Sequence, residues 1–199
     1  VRLTALMEAV RAVTQGAQVS ITSLGRHLQG NAFDKHKIKR MDRLLANPHV
    51  FRERLLIYKA VTTTLLNGLA EPIIVVDWSP LCPDQRWHLL RAAVPVGGRT
   101  LTLYEEVHPR SKPGNRRVQH QFLLTLARLL PAGSTPIVVA DSGFKTPFFR
   151  YIEQTLGWHW VGRIRGQDVL RYSADCPWFS AKSLYAQARK TPKLVGAVD

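Results

Sequence analysis

A chain of 199 residues, 45% of them apolar, can build one large domain or two small ones around a real core. Its 28 Lys and Arg against 14 Asp and Glu give a formal charge of +14 and a pI near 10.5, a surplus that calls for a polyanionic partner, nucleic acid before a membrane surface. No apolar run is long enough to span a bilayer, and the N-terminus is amphipathic rather than signal-like. Two cysteines, Cys82 and Cys176, without CxxC spacing argue against structural zinc and a disulfide scaffold and fit a reducing, intracellular setting.

In chain order, Leu3, Leu6, Met7, Val10 and Val13 recur at helical spacing until Gly16. Residues 20–28 read as a short helix with Ser or Thr at its start, and Gly30-Asn31 makes a turn. A third helix is expected over 34–45, with Asp34 at its N-cap. Its apolar residues Ile38, Met41, Leu44 and Leu45 form one stripe, so Lys35, Lys37, Lys39, Arg40 and Arg43 crowd the other side. A short helix, a glycine turn and a basic second helix outline a helix-turn-helix, with a merely solvated basic face as the plain alternative. Pro48 breaks the pattern. Residues 51–69 then read as a longer helix with Leu55, Tyr58, Thr62, Leu65, Leu66 and Leu69 inward.

The character changes at Ile73-Ile74-Val75-Val76-Asp77, an apolar run that reads as a strand buried on both faces and ending near an aspartate. Residues 87–96 and 99–107 are two more strands, joined at Gly97-Gly98 as a hairpin. Residues 109–117 form a basic loop whose Arg110, Lys112, Arg116 and Arg117 are candidate phosphate contacts. Residues 118–130 are helical. Ile137-Val138-Val139-Ala140-Asp141 then repeats the strand-to-aspartate pattern, now after a helix, so it can lie parallel to the first strand. A helix over 145–156 and a strand over 158–164 follow. Lys145, Arg163 and Arg165 flank these elements and are further candidates for phosphate. Beyond them the signal weakens to a basic patch at Lys182, Arg189, Lys190 and Lys193.

Two buried neighbouring strands would bring Asp77 and Asp141 together. Paired carboxylates repel unless protonated or bridged by a cation, which points to Mg²⁺ or Mn²⁺. The plain alternative is one helix cap and one turn residue. The order strand, strand, strand, helix, strand, helix, strand is the layout of an RNase H-like α/β domain, a mixed sheet flanked by helices, here preceded by an all-α region. Its first and fourth strands lie side by side. Two metals roughly 3.5–4 Å apart can activate one oxygen and stabilise another in phosphodiester chemistry, and hard Mg²⁺ takes carboxylate oxygens. The dispersed histidines show no metal spacing and receive no role.

These residues resemble the bacterial insertion-sequence transposases of the DDE class, especially the cut-and-paste branch that includes the transposase of the tetracycline-resistance transposon. The resemblance runs over about residues 20–170. It is carried by Ser23-Leu24-Gly25-Arg26, the stretch 35–45, Val75-Val76-Asp77-Trp78-Ser79, Leu101-Thr102-Leu103-Tyr104-Glu105, Val139-Ala140-Asp141-Ser142-Gly143-Phe144-Lys145 and Gly157-Trp158-His159-Trp160-Val161. It implies that Asp77 and Asp141 are catalytic metal ligands, the first two of three. It also implies nicking at a transposon end, hairpin formation and opening, and strand transfer into target DNA by one two-metal site. A homodimer on paired double-stranded ends, in a bacterial cytoplasm at the nucleoid, is part of the same expectation. So are a DNA-binding region over 1–70, the first part of the catalytic core over 71–166, and the start of an insertion region over 167–199. One departure stands against it. The third carboxylate, a glutamate within a Tyr, Arg, Glu and Lys signature, is not found, and Glu105 and Glu153 lack that setting. A C-terminally truncated, incomplete copy is therefore expected. The alternative is a non-catalytic DNA-binding remnant that competes for transposon ends or dimer partners.

Overall fold

A computed structural model describes residues 2–166, 168–188 and 190–191. Arg189 and Lys193 of the basic tail, and the end of the expected insertion region, lie outside the described residues. The chain divides into two compact units, 1–58 and 59–199.

The first unit holds α1 (Arg2–Thr14), α2 (Ile21–His27) and α3 (Asp34–Leu45), and α4 (Pro48–Leu65) begins in it. Ala5, Ala12, Leu24, Leu28, Met41 and Leu44 form its core. Ser20 caps α2, its Oγ accepting the Ser23 N–H at 3.2 Å. Gly25 allows α2 and α3 to cross closely, since a Cβ there would sit 2.5 Å from the Ile38 Cα. Asp34 is not the N-cap of α3. Phe33 takes that position with extended backbone, and its carbonyl accepts the His36 and Lys37 N–H groups. Asp34 lies one residue inside the first turn, where its charge suits the helix dipole. Nor does Pro48 lie outside the following helix. It is the first residue of α4, where a missing N–H costs nothing. That helix stops at Leu65, and Leu55 and Leu69 are exposed rather than inward.

The second unit is built on a five-stranded sheet of β1 (Ile73–Pro80), β2 (Trp87–Val96), β3 (Arg99–Pro109), β4 (Ile137–Ala140) and β5 (His159–Gly162), in the order β3-β2-β1-β4-β5. β1, β2 and β3 are antiparallel neighbours, and β4 runs parallel to both β1 and β5. Gly97 and Gly98, at φ 55° and 78°, make the two-residue hairpin turn that needs positive φ at both positions. The β2–β3 register slips by one residue at Ala92/Ala93, opposite Leu103, which leaves Leu103 and Tyr104 both buried. The Thr62 hydroxyl of α4 donates to the Leu103 carbonyl at 3.2 Å and satisfies a buried acceptor at that irregularity.

The helix α5 (Arg116–Leu129) starts at an Asn115 cap, whose side chain accepts the Val118 N–H at 3.2 Å. Arg116 and Arg117 therefore belong to its first turn, not to the loop. At its other end the Lys59 ammonium donates to the carbonyls of Arg128 (3.1 Å) and Leu130 (2.7 Å), a cation on free helix-terminal acceptors. After β4 come α6 (Thr146–Arg150) and a π-helical segment, Tyr151–Thr155. Phe122 stacks on Tyr104, Phe149 lies on Trp160, and the His120 ring stacks on Tyr151 at 3.9 Å. These contacts put α5 and α6 on one face of the sheet, over the buried Ile74, Val76, Leu90, Ala92 and Val138. The other face is not sealed as the apolar runs suggested: Ile73 is 48% and Val161 56% exposed. Two short strands, β6 (Val169–Leu170) and β7 (Phe179–Ser180), form a separate antiparallel pair that the sequence did not announce. No helix among the described residues is long and apolar enough to cross a membrane.

Candidate active site

The parallel pairing of β1 with β4 ends at Val76↔Ala140. Asp77 is the next residue of β1, and Asp141 is the first residue after β4. Val76 and Ala140 are buried against the helices, so strand alternation turns Asp77 to the open face, and both carboxylates are exposed. Asp77 does not end its strand. β1 continues to Pro80 against β2, whereas β4 stops at Ala140 and turns away. The β4-side edge of β1 is thus released from pairing from Asp77 onward.

Each carboxylate is held locally. The Ser79 hydroxyl donates to Asp77 Oδ2 at 2.8 Å. The Gly143 N–H donates to Asp141 Oδ1 at 2.8 Å, and the Phe144 N–H reaches the Asp141 carbonyl at 3.2 Å. A Cβ on Gly143 would lie 2.9 Å from Asp141 Oδ1, so a larger residue there would displace the carboxylate. Hydroxyl and amide donors leave most carboxylate lone pairs free. Hard oxygen donors of this type fit Mg²⁺ or Mn²⁺. They supply two acids, and no group of three His, Cys, Asp or Glu side chains among the described residues is placed to hold a metal ion. Glu105 stands two strands from Asp77 and binds Arg91, and Glu153 lies in the π-helical segment with Oε2 3.5 Å from the Trp160 indole nitrogen. Neither joins the pair.

The cations fall into separate sets. Lys35, Lys37, Lys39, Arg40 and Arg43 lie on α3 in the first unit; Arg40 is tied to Glu8 of α1 at 2.7 Å, while Lys35, Lys39 and Arg43 are exposed. In the second unit, β1, β3, β4 and β5 all run toward the same end of the sheet. The loop after β3, with Lys112, and the first turn of α5, with Arg116 and Arg117, therefore share that end with Asp77 and Asp141. Arg163 follows β5 and its N–H donates to the Ala140 carbonyl at 3.1 Å, next to Asp141. Lys145 meets Asp168 at 3.7 Å, and Asp168 also accepts the Arg165 N–H at 2.6 Å. Trp78 packs edge-on to His108 on the helix-covered face, 5.6 Å between ring centroids, and is not presented with Asp77.

An ion pair that no sequence pattern announces stands in the same row. Arg91 of β2 is the register partner of Asp77 and, on its other side, of Glu105. Its Nε lies 3.0 Å from Glu105 Oε2.

A five-stranded mixed sheet flanked by helices is compatible with an RNase H-like fold. The family model described as Transposase DDE domain matches residues 68–195, and the chain belongs to that family, a DDE-type transposase. No curated protein and no solved structure matches it. The family generally uses divalent metals and acts in DNA transposition and recombination.

Proposed function

We propose that Asp77 and Asp141 are two of the three catalytic carboxylates of a two-metal transposase site, and that the chain cuts and joins DNA at transposon ends when a third carboxylate completes it. The observation that supports this reading is the parallel register of β1 and β4, whose last pair, Val76 and Ala140, is followed on each chain segment by one of the two exposed acids. In this reading they hold Mg²⁺ or Mn²⁺. Bound divalent cations supply the positive charge that the attacking and leaving oxygens of a phosphodiester need. The chain's own residues orient the site: Ser79 and the Gly143 amide fix the carboxylates, while Arg163, Lys145, Arg165, Lys112, Arg116 and Arg117 bind backbone phosphates around the same sheet end. Residues 1–70 serve as the DNA-binding region, with Lys35, Lys37, Lys39 and Arg43 of α3 toward the duplex and Arg40 fixing α3 to α1. Residues 71–166 are the first part of the core and 167–199 the start of an insertion region. The finer sequence of steps, nicking, hairpin formation and opening, then strand transfer by a dimer on paired ends, rests on the resemblance to the cut-and-paste branch.

The lack of a third acid among the described residues favours a second reading, a DNA binder that occupies ends without cutting them. A nicking assay on an end-labelled duplex with Mg²⁺ separates the outcomes. The 199-residue chain is expected to bind DNA and to nick it little or not at all; robust nicking abolished by Asp77→Ala would contradict the need for a third carboxylate.

A further inference from the structure

Asp77, Arg91 and Glu105 occupy one row across three neighbouring strands. Side chains at such directly opposed positions lie on the same face, with Cβ atoms about 4.5–5.5 Å apart. Arg91 therefore has an acid on either side. It pairs with Glu105, Nε to Oε2 at 3.0 Å, while Asp77 Oδ2 takes the Ser79 hydroxyl instead. Arg91 and Glu105 are 45% and 33% exposed, so the pair contributes little to fold stability. Its effect is on where one positive charge stands. A guanidinium turned onto Asp77 would occupy the oxygens that a divalent cation needs and would repel that cation.

We infer that Glu105 is a positioning residue that holds Arg91 away from Asp77 and so keeps that carboxylate open for a divalent cation. This rests on the proposed role of Asp77 and Asp141 as metal ligands. Glu105 itself touches neither metal nor DNA; it acts through Arg91. The slip of register opposite Leu103 is what makes this possible. Without it Arg91 would face Tyr104, and Asp77 would be the acid directly beside it on the strand ladder.

The test is Mn²⁺ binding to the intact chain, read as loss of the free Mn²⁺ signal in electron paramagnetic resonance, with thermal melts to show that each variant is folded. Asp77→Asn must lose binding relative to the wild type. Glu105→Gln is expected to weaken binding about tenfold, the effect of one unit charge moved onto the ligand. Arg91→Gln alone is expected to bind at least as tightly as the wild type, and Arg91→Gln with Glu105→Gln to return to the wild-type affinity. A merely structural ion pair predicts no rescue by the second substitution. If folded Glu105→Gln binds like the wild type, or the double variant stays as weak as Glu105→Gln, the inference is wrong. If instead Asp77→Asn binds as the wild type does, the metal-ligand reading fails first and takes this inference with it.

Discussion

Asp141 shows how little chain is needed to set one catalytic-type acid. The residue follows β4 directly, its Oδ1 takes the Gly143 amide, and a Cβ at Gly143 would press on that oxygen unless the Asp141 side chain moved. Gly143→Ala should therefore push the Asp141 carboxylate aside without unfolding the sheet. It should weaken Mn²⁺ binding about tenfold, as removing the partner that orients a metal ligand commonly does; equal affinity in a titration would show that the turn does not set the ligand. His120 carries a different signal. Partial burial against Tyr151 holds its ring below the ordinary value of 6.5; the Pro147 carbonyl at 3.4 Å works in the opposite direction, and the Arg116 charge adds to the lowering. The folded protein thus favours the neutral ring more than the unfolded chain does. That contribution is complete above the ordinary value and is lost as pH falls through the folded one. The melting temperature of the wild type should fall more than that of His120→Asn between pH 7 and pH 5, two values that bracket the ordinary imidazole range; parallel curves would remove His120 from the pH response.

At the scale of elements, two close approaches decide how helices meet their neighbours. Gly25→Ala places a Cβ on the Ile38 backbone, which has no flexible end to yield, so the first unit should lose about 1–3 kcal/mol in denaturant unfolding. Thr62→Val keeps the volume but strands the buried Leu103 carbonyl at the β3 irregularity, at a cost of about 1–3 kcal/mol. The existence of most elements was legible because their periodicities are strong: the apolar runs at 73–76 and 137–140, the paired glycines of the hairpin, the amphipathic α5. The parallel pairing of β1 with β4 followed from those runs and the helix between them. What escaped the sequence was geometry that no local pattern encodes. Counting back from the Gly97-Gly98 turn pairs Arg91 with Tyr104, and only the extra residue at Leu103 moves it onto Glu105. The openness of the Asp77 face escaped as well, because Ile73 and Val75 look as apolar as the buried Ile74 and Val76. Asp34 and Pro48 each sit just inside a helix start; Asp suits either the cap or the first turn, and Pro either ends a helix or opens one, so residue type alone left both boundaries open.

For the whole molecule, the +14 charge is the dominant long-range property. DNA binding should weaken steeply with salt. The Lys37→Ala, Lys39→Ala, Arg43→Ala triple variant should flatten the slope of log K against log salt by roughly 0.9 for each phosphate that α3 no longer neutralises. An unchanged slope would move the DNA interface away from α3. In the proposed function the sheet end carries the chemistry, with Asp77 of β1 and Asp141 after β4 as the acids and the cations of the loop after β3, the start of α5 and the residues after β5 as phosphate contacts. The most direct measurement is an anomalous difference map from crystals of the chain soaked in Mn²⁺. The expected result is a peak bridging the carboxyl groups of Asp77 and Asp141. A peak touching one of them alone, or Mn²⁺ sites only elsewhere on the surface, would contradict a shared cation at these two strands.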